Sequence, residues 1–479
     1  MANSLKWEGQ QLATWYFTVA MVLFGAQLLM GLIAAVQFLY PSFLFELFDF
    51  SVARMIHINA LVVWMVYAMV GASYWLLPDE TGIEVVGIKL AKLGFVILTA
   101  AVTVVVLVYI LIQYGDTTTE FMGLNVGLWF INEGREYIEA PRWADIGIAV
   151  VLVGFLLHVF LTAMKGTRTG IVTVLMADMI ALVGLYLCGM GYTDSISMDQ
   201  FWWWWVIHLW VEATWEVLVG VFAAYGLIRI IGANRQVVEM WLWIEVAMLF
   251  GSGILGMGHH YFWIGTPEYW WEIGALFSAL EPLPLVAMFI HVTYDWGKQS
   301  GIAKGEGNGR NAIANTPALA WFFSNAFGNF LGAGIWGFFH TLPQVNIYTH
   351  GTQFTSAHGH LSFFGAYATI LIGMFYLAVQ GTNGITRMRA TFDSKMAIVL
   401  INLGVFGMTV ALTISGYGQV LVERAQFGAT WEGFFISQDA LWFVQGLGWR
   451  LVMGVVTLVG FGYLVKDLLS TGKLAVHER

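Results

Sequence analysis

Eleven histidines stand in a chain of 479 residues, and their spacing points to chemistry. His208 and Glu212 are four apart and share one face of a helix. His259 and His260 lie about 100° apart around a helix and can converge on one ion. His358 and His360 lie about 200° apart, on nearly opposite faces. They cannot easily bind one metal but can serve two different partners. Three imidazoles and one carboxylate form a donor set hard enough to favour non-haem iron over copper(I). A lone histidine in an apolar helix is most often a hydrogen-bonded packing residue, although an ionisable group in a membrane span is a functional suspect. Carboxylates follow the same runs. Glu216 lies one turn beyond Glu212 on its face, and Glu281 is followed by Pro282 and Pro284 in a disrupted helix. Asp178 and Glu245 are also interior, and pairing with Ser, Thr or Trp donors would explain them equally well.

The elements that must position these groups are membrane helices. Hydrophobic residues make up 59% of the chain and charged residues 11%, against about 45–50% and about 25% in soluble domains. Too few charges remain to coat a soluble globule, and a disordered chain is excluded. The single cysteine, Cys188, rules out a disulfide framework, a zinc–thiolate site and an iron–sulfur cluster. Without a C-x-x-C-H motif, the chain attaches no c-type haem covalently. A net charge of −9 and no basic stretch give no sign of nucleic-acid binding. Twelve apolar runs, near 13–40, 55–77, 93–114, 144–164, 171–193, 200–231, 237–264, 268–296, 318–343, 354–380, 395–421 and 437–468, predict an all-α polytopic protein with twelve transmembrane helices. Residues 1–479 then form a single integral membrane domain in contact with lipid. The first run is too long for a cleaved signal core and reads as a retained helix.

An even count puts both termini on one side. If that side is cytoplasmic, 16 of the 21 Lys and Arg residues fall there, a strong positive-inside signal. With this orientation His57, His208, His259, His260, His358 and His360 share the outer third of the membrane.

His208-x-x-x-Glu212, the His259-His260 pair and His358-Gly359-His360 resemble the metal-binding core of the haem–copper oxidase superfamily. The resemblance covers nearly the whole chain. Within the superfamily it is similar to the large catalytic subunits of cytochrome-c-dependent nitric oxide reductases. That resemblance implies a low-spin haem b bound by His57 and His360, and a high-spin haem b3 with His358 as its proximal ligand. It also implies a non-haem iron held by His208, Glu212, His259 and His260. The reaction implied is reduction of two NO to N2O and water in a bacterial inner membrane, as a step of respiratory denitrification. The site would lie toward the periplasm.

The rival within the superfamily is a terminal oxidase reducing O2. Oxidases carry an active-site tyrosine, in one branch four residues after the first histidine of the sixth helix, where this chain has Glu212. In another branch it precedes the histidine pair, and 237–258 contains no tyrosine. No lysine lies in the middle of a span, so protons are expected from the outer side, with Glu216 and Glu281 as a local relay. A rival from another class, a secondary transporter, would show internal repeats that are absent here.

The loop before the fourth run reads Glu133-Gly134-Arg135-Glu136-Tyr137-Ile138-Glu139. A solvated charged turn explains it. The family resemblance implies instead calcium at Glu136 and a proton inlet at Glu139. Arg54, Arg135, Arg450 and His350 sit at the outer rim, where they could neutralise or hydrogen-bond haem propionates. The tryptophan-rich stretches fit an interfacial belt. Nothing in the chain can receive electrons from a distant soluble donor, and the first span begins near residue 13. A membrane-anchored cytochrome c subunit on the outer face is therefore the expected partner.

Overall fold

A backbone in hydrocarbon has no water to satisfy its N–H and C=O groups, so apolar runs of about 20 residues close their hydrogen bonds within a helix. The computed structural model describes residues 5–111, 120–121, 124–125, 135, 137, 139–299, 313–426, 428 and 430–474. Among them, 11 helices are long and apolar enough to cross a membrane. The only strands among the described residues are two short antiparallel ones, Glu120–Phe121 and Leu124–Asn125.

The chain divides into two compact units. In residues 7–167 the helices are α1 (Glu8–Gln37), α2 (Phe50–Thr81), α3 (Ile88–Leu111) and α4 (Arg142–Lys165). Asp49 starts α2 by accepting from the N–H of Val52 at 2.8 Å, and Gly82, at φ 74°, ends it in the left-handed conformation that glycine adopts freely. Residues of α1 and α2 interlock: Phe24 stacks on Trp64 at 4.5 Å, and the Trp64 indole donates to the Gln27 side chain at 2.8 Å.

Residues 168–479 carry the other elements. These are α5 (Gly170–Gly189), α6 (Ile196–Ile231), α7 (Arg235–His260), α8 (Tyr269–Ser278) and α9 (Leu283–Gln299). They continue with α10 (316–341), α11 (Pro343–Thr349), α12 (Gln353–Thr382), α13 (Phe392–Arg424), α14 (Trp431–Asp439) and α15 (Leu441–Leu474). Thr169, Asn234, Asn315, Thr352 and Thr391 cap α5, α7, α10, α12 and α13 with their side-chain oxygens.

One expectation is met and another changes in detail. The run at 268–296 is one of the 11 spans, Tyr269–Gln299, and is disrupted as its prolines predict: a turn after Ser278 separates α8 from α9, because Pro282 has no N–H to donate and Pro284 is tolerated only in a first helical turn. The run at 318–343 is helical throughout 316–341 but is not among the 11 apolar spans, since Asn325, Asn329 and its glycines dilute its hydropathy. Those glycines serve packing. A Cβ on Gly328 would lie 2.6 Å from the Gly365 Cα, so α10 and α12 cross backbone to backbone.

Candidate metal centre

Two helices of the second unit bring four side chains together. His208 and Glu212 come from α6, and His259 and His260 from the last, tighter turn of α7. One ligand atom from each lies within 4.8 Å of all the others. Glu212 is the hub. Its Oε2 is 3.3 Å from His208 Nδ1 and 3.4 Å from His259 Nε2, and its Oε1 is 3.0 Å from His260 Nε2. His208 is fully buried, and neither of its ring nitrogens makes a hydrogen bond among the described residues. Glu281, in the turn between α8 and α9, reaches to 4.0 Å from His208 Nε2.

The backbone is tuned for this. Residues Trp210–Trp215 of α6 are π-helical. A π-turn inserts an extra residue into the helical ladder and is frequent at functional sites. Here it contains Glu212 and is followed at once by Glu216, which is buried. No apolar spacing in the sequence announced it. At the end of α7, a Cβ on Gly258 would collide with the Trp270 carbonyl oxygen, and one on Gly274 with the His259 backbone nitrogen. Two glycines thus let α8 press against the histidine pair.

Supporting contacts orient each ring, and sequence reasoning missed them. The Ser278 hydroxyl sits 2.5 Å from His259 Nδ1, which turns Nε2 toward Glu212. Trp204 stacks on His260 at 4.9 Å and 6°. An interfacial belt therefore understates what Trp204 does. Tyr367, from α12, donates to the Val211 carbonyl at 3.1 Å and is an electrostatic neighbour of Glu212, Glu216 and Glu281.

A common device holds the remaining histidines. His57 Nδ1 is 2.8 Å from the Gln27 carbonyl, His360 Nδ1 is 2.7 Å from the Ser356 carbonyl, and His358 Nδ1 is 3.2 Å from the Gly332 carbonyl. An Nδ1–H given to a carbonyl leaves Nε2 as the basic, outward nitrogen, as metal-binding imidazoles require. Gly31 gives His57 its room, since a Cβ there would lie 2.6 Å from the ring. His57 belongs to the first unit and His360 to the second, so each is described within its own unit.

These residues fit the groups expected from their types. Three imidazole nitrogens and one carboxylate, converging in a buried place, match a divalent transition metal. Single imidazoles with a pinned Nδ1 match axial haem ligands.

The rim residues are spread. Arg450 and Arg135 are buried, and Arg54 is exposed at the start of α2. Glu139 is buried, and its Oε2 accepts from the Asn59 side chain at 2.8 Å, while the Tyr109 hydroxyl donates to Asn59 Oδ1 at 3.4 Å. Glu136 lies outside the described residues. The His350 carbonyl accepts from Arg424 at 3.1 Å. Burial first, then the Arg424 charge, holds its imidazole below the usual histidine value. Asp178 and Glu245 are buried, and neither oxygen of Asp178 is hydrogen-bonded among the described residues.

The chain is similar to known proteins along nearly its whole length. The family described as cytochrome c and quinol oxidase polypeptide I matches residues 11–456. A nitric oxide reductase subunit from Stutzerimonas stutzeri is 37% identical over 475 residues, 98% of this chain and 97% of that one. Both matches run nearly end to end and include both helices that build the histidine–glutamate tetrad, so the chain belongs to the cytochrome c and quinol oxidase polypeptide I family, that of the haem–copper oxidases.

Proposed function

We propose that this multi-pass membrane protein is a nitric oxide reductase, joining two NO with two electrons and two protons to give N2O and water. The observation that carries this reading is Glu212: a carboxylate occupies the centre of the three-imidazole cluster, where an oxidase would need a tyrosine. The similarity to a nitric oxide reductase subunit supports it.

In this reading His208, His259, His260 and Glu212 hold a non-haem iron. His358 is the proximal ligand of haem b3, and His57 with His360 binds the low-spin haem b. Once bound, the paired irons supply the electrons and the Lewis acidity at which two NO molecules meet. The protein's own groups handle charge and protons. Glu212 places a negative charge against the metal, which favours the ferric state. Glu216 and Glu281, both buried beside the cluster, move protons to the departing oxygen. Glu139 is the outer proton inlet, Glu136 a calcium ligand, and Arg54, Arg135, Arg450 and His350 the partners of the haem propionates.

The chain forms one catalytic domain of twelve spans, counting 316–341, in a bacterial inner membrane. Both termini are cytoplasmic and the site lies toward the periplasm. Electrons arrive through a membrane-anchored cytochrome c subunit. The test is anaerobic turnover with NO on protein of measured haem and iron content, following N2O. Haem- and iron-replete protein that forms no N2O would overturn the reading.

A further inference from the structure

Helix α6 carries Glu212 on a π-turn, Trp210–Trp215, where the backbone hydrogen bonds leave their ordinary register. The N–H of Glu216, just past the turn, goes to the Ala213 carbonyl, three residues back. Carbonyls displaced from the ordinary register need other partners, because a buried backbone oxygen in a membrane span has no water to turn to. Two side chains serve this turn. The Thr214 hydroxyl donates to the Trp210 carbonyl at 2.7 Å, and the Tyr367 hydroxyl, from α12, donates to the Val211 carbonyl at 3.1 Å. Thr214 and Tyr367 are both buried, and the Tyr367 ring stands edge-on to Trp215 at 5.5 Å. Val211 directly precedes Glu212, so the turn is fastened beside the ligand it carries.

The same fastening recurs one helix further out. Tyr367 itself lies in a π-turn of α12, Phe363–Ala368. There the buried Asn325 side chain, from α10, donates to the Gly365 and Ala366 carbonyls at 3.0 and 2.7 Å, and the Thr369 hydroxyl donates to the Gly365 carbonyl at 2.8 Å. In both helices a threonine of the same helix and a polar side chain of a neighbouring one hold the widened turn. His358 lies on α12 nine residues before Tyr367. The bond from Tyr367 to Val211 therefore joins the helix of a haem-binding histidine to the backbone beside a metal-binding glutamate.

We propose that Tyr367, with Thr214, is a positioning residue of the metal centre: its hydroxyl holds the π-turn of α6 open and so fixes where Glu212 meets the metal, relative to the haem at His358. Without that hydroxyl the Val211 carbonyl is satisfied most simply by ordinary helical winding. One residue of an α-helix is about 100° of rotation. A turn that relaxed toward such winding would swing Glu212 away from imidazoles that it now approaches within 3.4 Å. A misplacement of about 1 Å can cost about 100-fold in rate. The expected effect on turnover rests on the nitric oxide reductase reading, whereas the positioning itself rests on the hydrogen bonds.

The test uses the complete complex. Tyr367→Phe removes the hydroxyl and keeps the ring against Trp215. Haem and iron content should stay at the wild-type level, while kcat for N2O formation falls by about tenfold to about 100-fold and KM for NO is unchanged. The infrared stretch of CO bound to the reduced high-spin haem reads the same displacement without NO, because the groups facing a haem iron tune its ligand. That band should shift in Tyr367→Phe. Thr214→Val removes the companion bond, should shift the band as well, and decides the matter if Tyr367→Phe does not assemble. An unshifted band with wild-type kcat in assembled Tyr367→Phe overturns the proposal, as does an unshifted band in Thr214→Val. Loss of iron from Tyr367→Phe also overturns it, since the bond would then govern whether the metal is held and not where. Wild-type protein that makes no N2O, beside a Tyr367→Phe variant whose band still shifts, would count against the nitric oxide reductase reading instead.

Discussion

Glu212 touches all three imidazoles of the cluster within 3.4 Å, so its loss removes a ligand and a charge together. Glu212→Ala should abolish NO reduction while both b-haems remain, measured by N2O formation beside a pyridine haemochrome spectrum. Near-normal turnover at full metal occupancy would contradict the ligand assignment. Ser278 acts one step further out, by fixing His259 through Nδ1. Loss of such an outer partner typically weakens a metal site 10–100-fold. Ser278→Ala should therefore lower iron affinity by about that factor, titrated with a competing chelator, and leave the haem bands alone. The single imidazoles separate by spectrum. His57→Ala should lose the low-spin haem signature and His358→Ala the high-spin one; identical losses would show that the two do not serve different haems. Residue types and helical angles made the tetrad legible in the sequence, because four-residue and adjacent spacings survive any reasonable helix. Ser278, Trp204 and Tyr367 were not, because each meets the site through tertiary packing that leaves no periodic trace.

Helices position these groups through their smallest residues. Gly258 and Gly274 let α8 lie against the histidine pair, with no room for a methyl group. Gly258→Ala must push α8, through its Trp270 carbonyl, away from the end of α7, and overpacking of this kind costs about 1–3 kcal/mol. The expected outcome is a lower melting temperature together with lost iron, whereas haem at His57 should persist. A variant with unchanged iron content would mean that the close approach has no bearing on the site. Span positions were readable from apolar runs, and the break near Pro282 from proline chemistry. The π-turn at Trp210–Trp215 was not readable, since one extra residue in a uniformly apolar helix changes its hydrogen bonding without changing its hydropathy.

At the scale of the molecule, the family match spans residues 11–456, and the proposed route of electrons begins outside the chain. The protein should purify with a membrane-anchored cytochrome c. Separated from it, the chain should accept electrons from small artificial reductants and not from soluble cytochrome c. Full cytochrome-c-supported turnover by the isolated chain would remove the need for the partner. The membrane class followed from composition, because a chain with 11% charged residues has few ways to be stable in water, and the all-helical reading from the length of its apolar runs. The eleven-or-twelve question did not, because 316–341 carries asparagines and glycines whose use is visible only where α10 meets α12.

Two of the three rings of the tetrad are oriented by protein partners: His259 by Ser278, and His260 by Glu212 and the face of Trp204. Three imidazoles and a carboxylate sort divalent ions by intrinsic affinity, a series in which copper and zinc both stand above ferrous iron. Nothing in the geometry of the site turns them away. Correct loading then depends on what the cell offers during assembly, and zinc-rich, iron-poor growth should yield protein that is fully haemated, stably folded and silent toward NO.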